Sequence, residues 1–274
     1  MVWSALPRFI YDPPTVTLFF ICCVICPMRQ ILYFQEENTM TLYETIFTRR
    51  QVRNYLNSPV PEDCLSSILA CVSESEQLSG QHADFKLLPA AEVSASQGAS
   101  HYLLAFCDSS PSAYANVGFL LQKADLYVQS IGLGSGYFMN IKPKNELKRF
   151  CIALAIGKAD TPARINESEF KRKPLNRIST EDTAVSRAVR LAPSSLNSQP
   201  WELKFEPGKV IVEDAGTGIS RLILKNKLNK IDIGIAARHA VLALEHNGNA
   251  IISAVPKSDG SKFRIEITYK EDEK

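Results

Sequence analysis

Apolar residues recur three or four positions apart in two stretches of the chain, which is the spacing of a helix with one buried face. The two stretches are residues 116–131 and 232–247. Each contains one glycine near its start and ends at a second glycine: Gly118 and Gly132 for the first stretch, Gly234 and Gly248 for the second. Glycine readily adopts the left-handed conformation that commonly ends a helix, so the second glycine predicts each helix end.

Runs typical of strands lie on both sides of each predicted helix. They are residues 101–107 and 209–213 before the helices, and the alternating runs 151–158 and 263–270 after them. Two earlier segments, residues 60–70 and 179–189, carry acidic residues near their starts, which the helix dipole favours at a helix N-terminus. Both parts of the chain share this order of elements, which predicts an internal repeat. A chance likeness between two helix-rich segments is the alternative.

Composition indicates a globular chain and excludes some classes of function. Of the 274 residues, 45% are hydrophobic and 22% are charged, which is typical of a protein with a folded core. The net charge of +2 offers no sign of the clustered basic face that nucleic acid requires. We therefore expect no nucleic-acid partner.

The seven cysteines give no sign of a disulfide framework or a metal site. Cys23 and Cys26 have the spacing of half a zinc site, but no second pair or histidine follows at a suitable distance. Four others lie in apolar runs without paired spacing: Cys64, Cys71, Cys107 and Cys151. We interpret these four as buried thiols in a reducing, cytoplasmic compartment.

A polar loop follows the second acid-led segment and precedes a strand-like run. It reads Ala-Pro-Ser-Ser-Leu-Asn-Ser-Gln-Pro-Trp, from Ala192 to Trp201. Its two prolines exclude a helix interior, and its Ser, Asn and Gln side chains need hydrogen-bond partners. An ordinary helix-to-strand connection has a similar composition. The loop resembles the Pro-Ser-x-x-Asn-x-Gln-Pro-Trp motif of the FMN-dependent nitroreductase family.

Three further segments are similar to motifs of that family. Residues 49–53, Arg-Arg-Gln-Val-Arg, resemble its Arg-Arg-Ser-x-Arg, with Gln51 in place of serine. Residues 132–135 resemble its Gly-Leu-Gly-Ser, although residues 136–140 depart from the Cys-Trp that usually follows. Residues 171–175 resemble its closing Arg-Lys-Pro-Leu. The basic segments are suited to phosphate, to which guanidinium groups make paired hydrogen bonds, but they are also typical of solvated turns and linkers.

The resemblance implies an α+β fold of two pseudo-symmetric halves, each with an antiparallel sheet flanked by helices. Family members are normally homodimers with flavin sites between subunits, so a tandem duplication would place a dimer-like pair in one monomeric chain. The first half would bind the flavin phosphate and the second would supply the loop, forming one composite site. The implied cofactor-binding residues are Arg49, Arg50, Arg53, Gly132, Leu133, Gly134, Ser135, Arg172, Lys173, Pro193, Ser194, Ser195, Asn197 and Gln199.

The activity implied by the resemblance is that of an FMN-dependent NAD(P)H oxidoreductase. In the family, NAD(P)H reduces FMN and leaves before a small-molecule electron acceptor, a nitroaromatic or a quinone, takes its place in a ping-pong scheme. The cofactor carries this chemistry, so we expect no catalytic side chain. The alternative is a flavin-free or redox-inactive ligand-binding protein of the same fold, which Gln51 and the altered residues 136–140 favour.

Sequence similar to the family begins at Met40, so we expect residues 1–39 to lie outside the fold. The apolar run from Thr15 to Cys26 is shorter than the roughly 20 residues of a membrane-spanning helix, which makes a membrane anchor the less favoured alternative. The two halves are then predicted to span residues 40–163 and 164–274.

Overall fold

The computed structural model describes residues 40–145, 148–216, 227–260 and 262–271, which belong to one compact unit. The expectations for residues 1–39, including the apolar run and the Cys23–Cys26 pair, lie outside the described residues. The helices are α1 (Leu42–Ile46), α2 (Glu62–Ser73), α3 (Pro111–Ser130), α4 (Ala184–Arg190) and α5 (Leu228–His246). The strands are β1 (Asp84–Pro89), β2 (Val93–Ser94), β3 (His101–Phe106), β4 (Gly134–Phe138), β5 (Lys142–Pro143), β6 (Phe150–Gly157), β7 (Trp201–Glu206), β8 (Lys209–Asp214), β9 (Asn249–Asp259) and β10 (Lys262–Glu271).

Two four-stranded antiparallel sheets have the same topology. The first has the spatial order β1-β3-β6-β4 and the second has the order β7-β8-β10-β9. Counted in chain order, the fourth strand of each sheet (β6 or β10) lies between the second strand and the third strand. A long helix connects the second strand to the third strand in each sheet. The predicted α+β fold of two pseudo-symmetric halves is confirmed. A short β2–β5 pair has no counterpart in the second sheet as described.

The two long helices begin earlier than their apolar spacing predicts and end close to the predicted glycines. The first, α3, begins five residues before the predicted start because Ser110 caps it and Pro111 occupies its first position. Both helices end just before a glycine in the left-handed region, with φ of +79° at Gly132 and +82° at Gly248. For α3, periodicity misses the first turn because the Ser110 cap, rather than apolar spacing, determines where the helix begins, whereas α5 begins at Leu228 without a side-chain cap.

Helices α2 and α4 test the prediction that acidic residues mark the start of a helix. Glu62 and Asp63 lie in the first turn of α2, as expected. The corresponding expectation for α4 is wrong. That helix begins at Ala184, has no acid in its first turn, and is capped by Thr183 in a reciprocal arrangement with Ser186.

Two glycines allow α3 and α5 to cross in close contact. A Cβ atom at Gly118 would lie 2.0 Å from the carbonyl oxygen of Ile231, and one at Gly234 would lie 1.8 Å from that of Ala115. Each glycine therefore meets the residue three positions before the other glycine. This reciprocal contact is what an approximate two-fold axis through the helix crossing produces.

A single hydrophobic cluster joins the two halves. It contains Leu103 and Leu154 of the first sheet, Val212 and Ile265 of the second, and Ala240 of α5, all without solvent exposure. The sheets lie on either side of the predicted boundary between residues 163 and 164, which itself stays a prediction. None of the helices that the structure describes is long and apolar enough to cross a membrane.

Candidate functional site

Arg49 and Arg50 lie where α1 ends and the chain passes the C-terminal part of α3. Arg49 is 1% exposed, and its Nε is 2.9 Å from Oδ2 of the buried Asp125 on α3. Arg50 forms a half-exposed ion pair with Glu169 at 2.9 Å, and its backbone N–H donates to Oε1 of Gln129 at 2.7 Å. These contacts fix the direction in which the two guanidinium groups point.

Two more arginines from the connection between the sheets join them. Arg164 and Arg172 both lie against the ring of Phe170, at 4.1 Å and 5.4 Å from its centre. Arg164 also donates to the backbone carbonyl of Arg49. Burial, together with the positive charge of Arg49 and of other arginines nearby, lowers the pKa of each to about 10, so both stay charged at neutral pH. The four guanidinium groups form what we call the arginine cluster: Arg49, Arg50, Arg164 and Arg172.

Several nitrogens of the arginine cluster are buried without a hydrogen-bond partner among the described residues. They are Nη2 of Arg49, Nε of Arg50 and Nε of Arg172. Only two carboxylates, Asp125 and Glu169, pair with the four arginines in the part of the chain that the structure describes. Buried donors that carry excess positive charge are expensive to leave unpaired, and an anion with several acceptor oxygens would satisfy them. The cluster therefore fits a phosphate group.

The polar loop of the second half reaches this cluster. Nη1 of Arg172 donates to Oδ1 of Asn197 at 2.8 Å, and the backbone N–H of Lys173 donates to Oε1 of Gln199 at 2.7 Å. The ammonium group of Lys173 donates to the carbonyl oxygen of Gln199, and Oγ of Ser194 accepts from the backbone N–H of Gln199. Arg172, Lys173 and the loop all belong to the predicted second half, and the charge interaction of Arg172 with Arg49 connects them to the first.

The backbone of this loop is strained. Leu196, Asn197 and Gln199 all have positive φ angles, of 54°, 54° and 46°, although none of them is glycine. Such conformations cost on the order of 1 kcal/mol or more each, and persist only where surrounding contacts hold them. Pro193 is buried at the start of the loop, whereas Leu196 is 73% exposed at its tip.

A buried carboxylate on α5 anchors the middle of the loop. Both oxygens of Asp232 accept from the backbone N–H of Ser195, at 3.0 and 3.1 Å, and Oδ1 lies 3.3 Å from its hydroxyl. Asp232 is 1% exposed, and burial raises its pKa to about 8 despite these hydrogen bonds. Sequence reasoning placed residue 232 at the predicted start of a helix and assigned it no role, because an aspartate inside a long helix has no motif of its own.

The glycine-rich segment packs against the arginine-bearing segment. A Cβ at Gly134 would meet the side chains of Val52 and Ala159, at 3.0 and 2.8 Å, and one at Gly136 would meet the carbonyl of Val52 at 2.3 Å. The side chain of Gln51 makes two hydrogen bonds with the backbone of Tyr137. Gln51, which stands where the family motif has serine, thus connects the arginine-bearing segment to the glycine-rich segment.

The other residues of this segment occupy different surroundings. Gly132 is exposed at the end of α3, and Leu133 packs against the hydrophobic cluster. The hydroxyl of Ser135 donates to Oδ1 of Asp125 at 2.7 Å. Ser135 therefore supports the carboxylate that pairs with Arg49.

A polar network lies beneath the arginine cluster, between α3 and α5. Nε2 of Gln122 lies 3.3 Å from Asp125 and 3.1 Å from Nε2 of His239, and its Oε1 accepts from the hydroxyl of Tyr137. His239 donates from Nδ1 to the carbonyl of Ala188, and burial lowers its pKa to about 3, so its ring is neutral. Polar residues at buried helical positions were the only sequence signal for this network.

Two predicted features do not join the site. Arg53 is exposed, and no hydrogen bond or ion pair connects it to the arginine cluster within the described ranges. Trp201, which closes the loop motif, is 2% exposed and lies in the hydrophobic core. Its ring therefore packs inside the protein and is not part of the ligand-facing side of the loop.

An open pocket of ≈ 440 Å³ lies elsewhere on the second half. Glu181, Glu206 and Glu271 are among the residues that line it, with no arginine or lysine. None of the predicted site residues lines it. Its charge is therefore unsuited to a phosphate, and the arginine cluster is the better candidate.

Comparison with known proteins identifies a family and a fold. The family model described as "Putative TM nitroreductase" matches residues 41–244, well over half of the chain. The solved structure of a "putative nitroreductase" from Thermotoga maritima MSB8 has 20% sequence identity and a TM-score of 0.63, and the match covers 85% of this chain and 96% of that one. At this identity the likeness shows a shared fold.

Two other solved structures match about half of the chain. A "putative nitroreductase in complex with FMN" from Desulfovibrio desulfuricans has 16% identity and a TM-score of 0.41, covering 53% of this chain and 98% of that one. A nitroreductase with bound FMN from Desulfitobacterium hafniense DCB-2 has 15% identity and a TM-score of 0.36, covering 49% and 100%. No curated protein matches the chain in sequence.

Proposed function

The chain belongs to the nitroreductase family, and from that premise we propose that it is an FMN-dependent NAD(P)H oxidoreductase with one composite flavin site. The proposed site is the arginine cluster together with the loop of residues 193–199. The observation that carries the proposal is the set of buried guanidinium nitrogens without partners on Arg49, Arg50 and Arg172. A flavin mononucleotide has the phosphate dianion that such donors require.

The proposed roles of this chain's residues follow from their surroundings. Arg49 and Arg172 would bind the phosphate, because each is largely buried and keeps an unpaired nitrogen. Arg164 would add positive charge beside them, held in place by Phe170 and by the carbonyl of Arg49. Ser194 and Asn197 would present polar groups to the edge of the ligand from the second half, to which Arg164 and Arg172 also belong.

When bound, FMN would supply hydride chemistry between NAD(P)H and a nitroaromatic or quinone acceptor. The protein's contribution is to hold the ligand and to place fixed dipoles and positive charge where negative charge accumulates. That task requires no nucleophile or dedicated base, and so we assign no catalytic side chain. We also propose that the chain is a monomer, because the pseudo-symmetric contact of α3 with α5 is already internal, and that it is cytoplasmic, because its four described cysteines are free thiols.

An absorbance spectrum of the purified protein, before and after addition of FMN, tests the proposal. We expect bound flavin with a visible band that bleaches when NADH or NADPH is added without oxygen. Recovery of the band on adding a quinone or a nitroaromatic would support the proposed acceptors. Protein that neither retains nor takes up FMN would contradict the proposal and favour a flavin-free ligand-binding protein.

A further inference from the structure

The strained loop of residues 193–199 is held at two points. One is the set of contacts with Arg172 and Lys173, and the other is the pair of hydrogen bonds from the backbone N–H of Ser195 to Asp232. Asn197 lies two residues beyond Ser195, and its Oδ1 accepts from Nη1 of Arg172. A displaced loop would therefore release one side of the Arg172 guanidinium group.

We propose that Asp232 is a positioning residue for the anion site: by holding Ser195 it keeps Asn197 against Arg172 and so orients the unpaired Nε of that arginine. The inference rests on the flavin site proposed above and adds to it a residue that does not touch the ligand. Its basis is a continuous series of contacts, from the α5 carboxylate through the Ser195–Asn197 turn to the arginine cluster.

The surroundings of Asp232 indicate which form of its side chain does this. Among the described residues, two titratable groups interact with the charge of Asp232: Asp214 of β8, which pairs with Lys230, and the hydroxyl of Tyr137 on β4. Burial favours the protonated carboxyl at neutral pH, which still accepts from the N–H of Ser195 through one oxygen. An amide of the same shape offers the same acceptor.

The first half contains a matched position. Asn116 precedes Gly118 by two residues, as Asp232 precedes Gly234, and its Oδ1 accepts from the backbone N–H of Leu78 at 2.9 Å. Asn116 therefore holds the corresponding loop of the other half, away from the arginine cluster. Truncating it should disturb the fold to a comparable degree without changing the anion site.

The test compares Asp232→Ala, Asp232→Asn and the control Asn116→Ala by titration with FMN and, separately, with inorganic phosphate at pH 7. We expect Asp232→Ala to weaken both ligands about tenfold or more, because the released loop withdraws Asn197 from Arg172 and displaces Ser194 and Gln199 with it. Asp232→Asn should stay within about threefold of the parent protein, and so should Asn116→Ala. An equal loss in Asp232→Asn, or the same loss in Asn116→Ala, would overturn the proposal.

Amide hydrogen exchange provides a readout that does not need a flavin. In Asp232→Ala the amides of Ser195 and Asn197 should exchange at least about tenfold faster than in the parent, whereas Asp232→Asn should keep their protection. Unchanged exchange in Asp232→Ala would overturn the role of Asp232. Failure of the parent protein to bind FMN would instead count against the proposed function, and the exchange and phosphate measurements would still decide on Asp232.

Discussion

The loop of residues 193–199 and its counterpart, residues 75–80, follow equivalent helices but have opposite surroundings. Leu196 at the tip of the first is 73% exposed, whereas Leu78 in the second is 1% exposed. The second loop is tied inward, with the N–H of Leu78 donating to Asn116 and the N–H of Ser79 donating to the carbonyl of Ala254. Equivalent positions of one scaffold thus hold one loop that projects outward and one that is packed.

The charged residues near the two loops differ in the same way. Arg49 and Arg172, near the outward loop, keep buried nitrogens unpaired. Arg238, near the packed loop, donates to the carbonyls of Phe119 and Glu76 and stacks on the Phe119 ring at 3.5 Å. A buried arginine whose N–H groups are paired with backbone carbonyls has a structural role. A buried arginine with unpaired N–H groups is suited to binding a ligand.

The largest expected effect comes from replacing these two kinds of arginine by methionine. Arg49→Met leaves the buried Asp125 without its ion-pair partner, so we expect a loss of about 3–5 kcal/mol in unfolding free energy together with loss of FMN binding. Arg238→Met removes a charge that has no comparable carboxylate partner and should leave FMN affinity unchanged. Urea unfolding and flavin titration measure both. Equal FMN affinities in the two variants would remove the distinction between the halves.

A second pair of variants separates buried from exposed arginines within the site. Arg172→Ala should weaken FMN by about 1.5–3 kcal/mol, or roughly ten- to a hundredfold, because it removes charge-assisted hydrogen bonds. Arg53→Ala should have a smaller effect, because Arg53 is exposed and lies outside the arginine cluster. Flavin fluorescence titration at fixed salt concentration measures both affinities. A greater loss in Arg53→Ala would restore the assignment that the family motif implied.

The pH dependence of stability compares Asp232 with the neutral Asn116. Because the pKa of Asp232 is raised to about 8, the folded protein keeps a proton that the unfolded chain loses near pH 4, and stability falls as pH rises toward 8. The pKa of His239 is lowered to about 3, so this residue makes stability rise with pH, and the rise is complete above about pH 6.5.

Between pH 6.5 and 8.5 we therefore expect the unfolding free energy to fall by about 1–2 kcal/mol. The fall should be absent in the Asp232→Asn variant, because an asparagine side chain is uncharged at every pH in this range. Asn116, at the matching position of the other half, is uncharged in the same way. Urea unfolding at several pH values checks this. An identical pH profile for the parent protein and the variant would contradict the raised pKa.

The smallest expected effect compares the two loops directly. Asn197→Ala removes an uncharged acceptor of Arg172 and should weaken FMN by about 1 kcal/mol. Ser79→Ala, at the matching position of the packed loop, should leave the affinity unchanged. Titration of both variants side by side distinguishes them, and equal losses would indicate a second site.

Periodic features of the chain were predictable because each helix or strand buries a regularly spaced face. The helices on both sides of the Gly118–Gly234 contact and the strands that follow them were found in this way. The family motifs indicated the segments that the fold brings together, namely residues 49–50, 172–173 and 193–199. The tandem duplication that they imply stays an interpretation of the repeated topology.

The remaining parts of the site depend on contacts between distant segments, which local patterns do not record. Arg164 lies in a linker without a motif, and Asp125, His239 and Asp232 are polar residues at buried helical positions. The partners cited for these three residues lie from 37 to 117 positions away, so their roles become apparent only in the folded chain.

The stoichiometry of FMN binding tests the central claim most directly, because that claim is that one of two equivalent positions is a ligand site. Protein stripped of ligand should be titrated with FMN at a protein concentration well above the dissociation constant, with flavin fluorescence as the signal. One FMN bound per chain is the result that the asymmetry of the two loops and of their arginines predicts. Two FMN molecules per chain, or none, would contradict it.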